Sequence, residues 1–252
     1  MIDLSGQAAL VTGGNRGIGR ATALLLARSG ADIALTYHTR AGDAEATVDE
    51  VEALGRQACA LGGDLADPEA VERIMAEVER KFGRLDIFVA NAGIWPADEV
   101  SLAAMPTERW RRTMEANLDS VFLSTRAALR LMRAGGRVVI VSSTAGQRGE
   151  AFHADYAATK GALISLTKSL AVECAPDLVV NCVAPGWVDT EMSLPAFGQD
   201  NRDRIRRSIP LQRIATADDI AGPILFLCSD LARHVTGEVV NVNGGSVLWV
   251  KA

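Results

Sequence analysis

Tyr156-Ala157-Ala158-Thr159-Lys160 sets a phenol and an ammonium four residues apart, a spacing that puts both on one face of a helix about a turn apart. A free phenol has a pKa of about 10 and gives up its proton reluctantly at neutral pH, whereas a neighbouring cation favours the phenolate and lowers that value. The pair therefore reads as a proton-exchanging group tuned by a cation. Ser143 lies thirteen residues before Tyr156, at the end of an apolar run, and Asn117 lies within a long helical stretch. Taken singly, Ser143 reads equally as a strand-end cap and Asn117 as a satisfied helix polar group.

A second constellation sits near the N-terminus. Thr12-Gly13-Gly14-Asn15-Arg16-Gly17-Ile18-Gly19 follows the first apolar run and opens a helical stretch. Backbone without Cβ atoms lets a pyrophosphate approach closely, and a helix N-terminus supplies free N–H groups and positive potential. Where such a site prefers NAD(H), an acid at the end of the second strand accepts from the ribose 2′-hydroxyl. Thr36-Tyr37-His38-Thr39-Arg40 offers none, since Asp32 lies at the start of that run and Asp43 beyond it. Arg16, His38 and Arg40 instead present donors for a 2′-phosphate, which favours NADP(H) over NAD(H).

The elements that must position these groups follow from patterning. Apolar, β-rich runs at 8–11, 32–37, 58–61, 85–90, 137–142, 179–183 and 238–242 have the composition of strands buried on both faces. Helical spacing fills 17–29, 43–54, 68–82, 107–133, 156–173 and 217–227. Gly30 and Gly55 follow helices, Pro68 opens one, and Thr216 with Asp219 forms a capping-box pattern before the last. Alternating β and α predicts a single-domain, doubly wound Rossmann fold over 1–252, with about seven parallel strands and helices on both faces. Residues 187–210 break the rhythm around a short helix at 201–207 and read as a lid over a ligand.

Taken together, the motifs resemble those of the short-chain dehydrogenase/reductase family over nearly the whole chain. The pattern is nearest that of 3-oxoacyl-acyl-carrier-protein reductases, through Arg16-Gly17-Ile18-Gly19, Val235-Thr236-Gly237 and Asn241-Val242-Asn243-Gly244-Gly245. The resemblance implies hydride transfer between nicotinamide and a ketone or secondary alcohol. It makes Tyr156 the proton donor and Ser143 the group that polarises the carbonyl oxygen. Lys160 would hold the nicotinamide ribose and tune Tyr156, and Asn117 would hold a water that reloads the proton. It also implies that Asp64 and Leu65 meet the adenine, and that Asn91-Ala92-Gly93 passes beside the cofactor, with Ala90 where the family has a further Asn. Pro185 and Gly186 would wrap the nicotinamide, Val188 would meet its carboxamide and Thr190 a phosphate. A homotetramer, joined through the helices at 107–133 and 156–173 and through the last strand and the apolar Val247-Leu248-Trp249-Val250, is the family's usual assembly.

Ile94, Trp95, Gln147, Phe152, His153, Trp187, Met192 and Leu194 are placed to border the substrate, and their apolar and aromatic character suits an uncharged carbonyl compound. Sugars, polyols and other secondary alcohols remain alternatives to a 3-oxoacyl thioester. A catalytically silent NADP-binding sensor is the alternative of another class. Arg130 and Arg133 before the fifth strand would suit an acidic acyl carrier protein, but Asp177 before the sixth would not.

The 252 residues are 48% hydrophobic and 23% charged, with a net charge of −5, which argues against a nucleic-acid or anionic-membrane partner. The four cysteines, Cys59, Cys174, Cys182 and Cys228, form neither C-x-x-C nor a cluster with histidine, so neither metal nor disulfide is expected. They read as buried thiols in a reducing compartment. With no signal peptide or membrane-spanning run in view, a cytoplasmic location is the expectation.

Overall fold

The computed structural model describes residues 2–198 and 201–248. Seven parallel strands form one sheet in the order β3-β2-β1-β4-β5-β6-β7. They are β1 (Ala8–Val11), β2 (Asp32–Tyr37), β3 (Ala58–Gly62), β4 (Leu85–Ala90), β5 (Met132–Val141), β6 (Val179–Pro185) and β7 (Val239–Val242). The order reverses between β1 and β4, and there the loops leaving neighbouring strands diverge and open a crevice.

Alternation along each strand divides the core between the two faces. Ala9 and Val11 of β1 pack with Leu24, Leu26, Val51, Ile220 and Ile224, from α1 (Gly17–Arg28), α2 (Ala41–Ala53) and α9 (Ala217–Leu227). Leu10 faces the other way, with Val71, Ile74, Val121, Leu163 and Leu170 from α3 (Pro68–Phe82), α5 (Ser120–Leu131) and α7 (Ala154–Glu173). Local signals fix the helix ends. Asp67 caps α3, with Pro68 in the first turn and Gly83 left-handed after the last, and Thr216 and Asp219 form the complete capping box of α9.

Beyond shifts of one or two residues at element ends, three features depart from the patterning. The stretch 107–133 is not one helix but α4 (Thr107–Met114), a π-helical turn at Glu115–Asp119, and α5. β5 begins at Met132, five residues early, because Met132 pairs with Leu85 before a register shift. A short helix, α6 (Thr144–Arg148), fills what reads in sequence as loop. The remaining helix, α8 (Asn201–Ser208), lies within residues 187–210. All four cysteines are free thiols, but only Cys182 and Cys228 are buried; Cys59 and Cys174 are half-buried, which corrects the reading of four buried thiols. Among the described residues no helix is long and apolar enough to cross a membrane, and no group of three or more His, Cys, Asp or Glu could hold a metal ion.

Candidate active site

The strand-end loops at the switch point enclose a cavity of about 540 Å³. At one end the glycine-rich turn forms its wall. Gly13 and Gly17 have φ of +64° and +52°, and a Cβ on Gly14 would lie 2.6 Å from that of Leu35, so the turn follows this path only without side chains. α1 opens on Arg16 with no side-chain cap and no acid in its first turn, leaving its first N–H groups and positive end toward the cavity. Thr12 Oγ1 accepts from the backbone N–H of both Asn91 and Ala92 at 2.9 Å, Asn91 Nδ2 donates to the Thr12 carbonyl at 2.9 Å, and Gly13 N–H donates to Thr36 Oγ1 at 3.1 Å. This network couples the ends of β1, β2 and β4, and Thr12 and Thr36, absent from the expected set, are central to it.

Of the expected cofactor residues, Gly13, Asn15, Arg16, Gly17, Ile18, His38, Asp64, Leu65, Asn91, Ala92, Gly93, Tyr156, Lys160, Pro185, Gly186, Val188 and Thr190 line the cavity. Gly19 does not. A Cβ there would meet the Gly13 carbonyl oxygen at 2.1 Å, so its role is the close packing of α1 behind the turn. Arg40 also stands off the wall, where Glu191 holds it at 2.5 Å.

At the other end Ser143, Tyr156 and Lys160 share the cavity. Ser143 caps α6, its Oγ accepting from Ala145 N–H at 3.1 Å. Close passage of α6 over α7 sets its distance from Tyr156, since a Cβ on Gly146 would lie 2.5 Å from the Lys160 carbonyl carbon. Lys160 Nζ donates to the Val141 carbonyl at 3.0 Å and lies 5.8 Å from the centre of the Tyr156 ring. Asp155, fully buried beside Tyr156, accepts from Arg109 Nε at 3.0 Å and Thr113 Oγ1 at 2.8 Å, locking the first turn of α7 against α4. Burial pushes its carboxyl up, but those bonds and the Tyr156 N–H outweigh it and hold it below the ordinary range.

Electrostatics at this cluster differ from the expectation that Lys160 lowers the phenol. Burial raises Tyr156 to about 12, the Ser143 hydroxyl pulls the other way, and Glu150 adds to the rise. Lys160, 4% exposed, falls to about 8, again chiefly through burial. In the protein alone its charge is directed at the Val141 carbonyl, and Tyr156 keeps its proton.

Asn117 is fully buried and off the cavity wall. Its Oδ1 accepts from Ile94 N–H at 2.7 Å and its Nδ2 donates to the Ile94 carbonyl at 2.9 Å, so its side chain clamps the loop after β4. The π-helical turn carries it there, as such turns do where a helix must re-aim a functional residue. A Cβ on Gly93 would lie 2.8 Å from Asn117 Oδ1 and 3.6 Å from Lys160 Nζ, which places this clamp beside the lysine.

The substrate set divides. Trp95 and Trp187 line the cavity, edge to face with centroids 5.8 Å apart. Gln147 is turned outward to Asn241, at 2.6 Å. His153 is buried behind Trp95, stacked at 4.9 Å, so it supports the wall rather than forming it. Ile94 and Met192 are on the wall; Phe152 and Leu194 are not. Arg112, Arg148, Glu150 and Glu191 are there too, charged groups set into a wall that is otherwise largely apolar, as expected. Glu191, between Thr190 and Met192, and Arg148, next to Gln147, had neighbours in sequence that pointed to them; Arg112 and Glu150 had none.

A doubly wound sheet with a glycine-rich turn at its switch point and Ser, Tyr and Lys on one cavity defines an oxidoreductase of the Rossmann type. The family model described as enoyl-(acyl carrier protein) reductase matches residues 13–246. The chain is 38% identical to a 3-oxoacyl-[acyl-carrier-protein] reductase of Synechocystis sp., across 99% of this chain and all of that protein. It is also 38% identical to an L-rhamnose 1-dehydrogenase (NAD(P)(+)) of Sphingomonas sp. strain SKA58, across 96% of each. A short-chain dehydrogenase from Burkholderia cenocepacia J2315, solved in complex with NADP, superposes with a TM-score of 0.91 at 41% identity, covering 96% of this chain and 98% of that one. The chain belongs to the short-chain dehydrogenase/reductase family of oxidoreductases.

Proposed function

We propose that this chain is an NADPH-dependent carbonyl reductase and, in reverse, a secondary-alcohol dehydrogenase. The observation that carries the reading is one cavity lined at one end by an uncapped glycine-rich helix start and at the other by Ser143, Tyr156 and Lys160. The glycine-rich turn fits a pyrophosphate, and Arg16, His38 and Arg40 fit a 2′-phosphate. Asp64 and Leu65 would meet the adenine, and Lys160, Pro185, Gly186, Val188 and Thr190, on the same wall, the nicotinamide half. NADP(H) held there supplies or accepts the hydride. Tyr156 stays protonated across the physiological range, the form a donor to a carbonyl oxygen needs, and Ser143 polarises the same oxygen. Lys160, with a pKa of about 8, is suited to passing a proton onward near neutrality.

Two substrate readings follow. A 3-oxoacyl thioester fits the relation to the Synechocystis enzyme. A sugar or polyol is favoured by the wall itself, where Trp95 and Trp187 offer apolar faces while Arg112, Arg148 and Glu150 offer hydrogen-bonding partners to hydroxyls. Carrier docking gains little support: Arg130 pairs with Glu72 at 3.3 Å and Arg133 donates to the Gly83 carbonyl at 2.9 Å.

The test is nicotinamide absorbance with NADPH and acetoacetyl thioesters, diketones and simple ketones, and with NADP+ and a panel of sugars and polyols. Turnover that falls roughly 10²- to 10⁴-fold in Tyr156→Phe while NADPH affinity holds supports the reading. Near-native turnover in that variant would refute the donor role. Tight NADPH binding with no turnover across the panel would favour a sensor.

A further inference from the structure

We propose that Glu191 sets the cofactor selectivity of this chain, its carboxylate standing in the 2′-phosphate site between Arg16 and Arg40. The proposal rests on the NADP(H) reading above. Arg16 Nη1 donates to Glu191 Oε2 at 3.1 Å, and Arg40 Nη1 donates to the same oxygen at 2.5 Å. These arginines come from the glycine-rich turn and from the loop after β2, and Glu191 reaches both from across the cavity mouth, 175 and 151 residues away in sequence. The acid missing from the end of β2 is thus supplied by the lid.

Local structure presents that carboxylate in a fixed place. Ser193 N–H donates to the Thr190 carbonyl at 3.0 Å and Ser193 Oγ to the Val188 carbonyl at 2.7 Å, closing a tight turn with Glu191 at its tip. Thr190, one residue back, lies against Gly17, where a Cβ would be 3.5 Å from its methyl group. The turn therefore lies over the phosphate-binding loop while its acid engages the two guanidinium groups.

A carboxylate and a phosphate monoester compete for the same forked donors, and the phosphate brings more charge and an additional oxygen. The side chains of Arg16, Arg40 and Glu191 are 43%, 51% and 47% exposed, and ion pairs so exposed are weak enough to be displaced. NADP(H) must displace Glu191 to reach the arginines, whereas NAD(H), with a 2′-hydroxyl, leaves it in place. Asp43, 3.7 Å from Arg40, is a second carboxylate near the site, but it reaches only one of the arginines.

Calorimetric dissociation constants for NADP+ and NAD+, without turnover, test this. Glu191→Gln and Glu191→Ala are each expected to bind NADP+ roughly threefold to tenfold more tightly, with NAD+ unchanged within about twofold. In an Arg16→Met/Arg40→Met background the same changes should have no effect on NADP+. NADP+ affinity that is unchanged or weaker in the Glu191 variants, or equal gains for both dinucleotides, overturns the proposal. The cofactor reading fails separately. If the native chain shows no preference for NADP+ but Glu191→Gln acquires one, that reading falls and the role of Glu191 stands. If the native chain prefers NADP+ and both variants are silent, the reverse holds.

Discussion

Tyr156 and Lys160 are each displaced from their ordinary titration by burial, in opposite directions, because the charged form of one is the deprotonated state and of the other the protonated state. Tyr156 rises to about 12 and Lys160 falls to about 8. For Lys160 the folded value lies below its ordinary 10.5, so between about pH 8 and 10.5 the unfolded chain binds more protons and stability rises with pH. For Tyr156 the folded value lies above its ordinary 10, so the folded chain binds more protons between about 10 and 12 and stability falls through that window. The two opposing contributions overlap only around pH 10. In the catalysis proposed above the lysine sets the pH dependence. The pH profile of kcat/KM for carbonyl reduction should turn down above about pH 8, tenfold per unit, while oxidation of the alcohol rises over the same range. Lys160→Met should lower both directions and remove the limb near pH 8. A limb that persists unchanged in that variant would assign it to another group.

What holds Ser143 on the same cavity wall as Tyr156 is the crossing of α6 over α7, where Gly146 meets Gly161 and the tightest approach is at Gly146. At Gly146 a Cβ would lie 2.5 Å from the Lys160 carbonyl carbon, 2.6 Å from its oxygen and 2.7 Å from Gly161 N, all backbone, with no flexible side chain to give way. Gly146→Ala should therefore push α6 off α7, at a cost of about 1–3 kcal/mol of stability, and lower kcat more than it changes NADPH affinity. Thermal unfolding alongside kcat and cofactor titration checks this, and a variant with native kcat would show that α6 does not position Ser143. The same elements mark where sequence stops being informative. The central strands were legible because burial on both faces demands continuous apolar runs such as Ile33–Leu35 and Val138–Val141, whereas the edge strands β3 and β7 are only half-buried; the glycine-rich turn was legible because close approach excludes Cβ atoms. α6 was hidden, being five residues long and opened by a serine already read as catalytic. The π-helical turn at Asn117 was hidden because one extra residue in a helical turn leaves its polar and apolar pattern nearly intact. Arg112, Arg148 and Glu150 were hidden for another reason: charged residues are ordinary on surfaces, and only the tertiary arrangement brings these to the cavity.

At the scale of the whole molecule, the surface carries apolar side chains where a lone chain has no use for them. α7 turns Leu163, Leu170 and Ala171 to the sheet, yet Val172 on its outer side is 79% exposed, and Phe122 on the outer side of α5 is 47% exposed. β7 is the last strand of the sheet, with no neighbour on its outer side among the described residues, and the nearby Leu231 and Leu248 are 67% and 84% exposed. Trp249 and Val250, which extend the apolar C-terminal run, lie outside the described residues. Unpaired edges and apolar helix faces are surfaces that assembly covers, and twofold axes through each of these two faces would generate a closed tetramer. We expect sedimentation at four times the 26.7 kDa chain mass. Phe122→Glu and Val172→Glu, which lie on the helix face and away from β7, should together halve the assembly rather than dissolve it, leaving dimers joined through the other face. Because α4, α7 and the π-helical turn pack against one another beside Asn117 and Tyr156, those dimers should also lose activity even though every residue of the cavity remains in place. A native chain that sediments as a monomer, or a double variant that stays tetrameric, would refute the assignment of α5 and α7 as an interface.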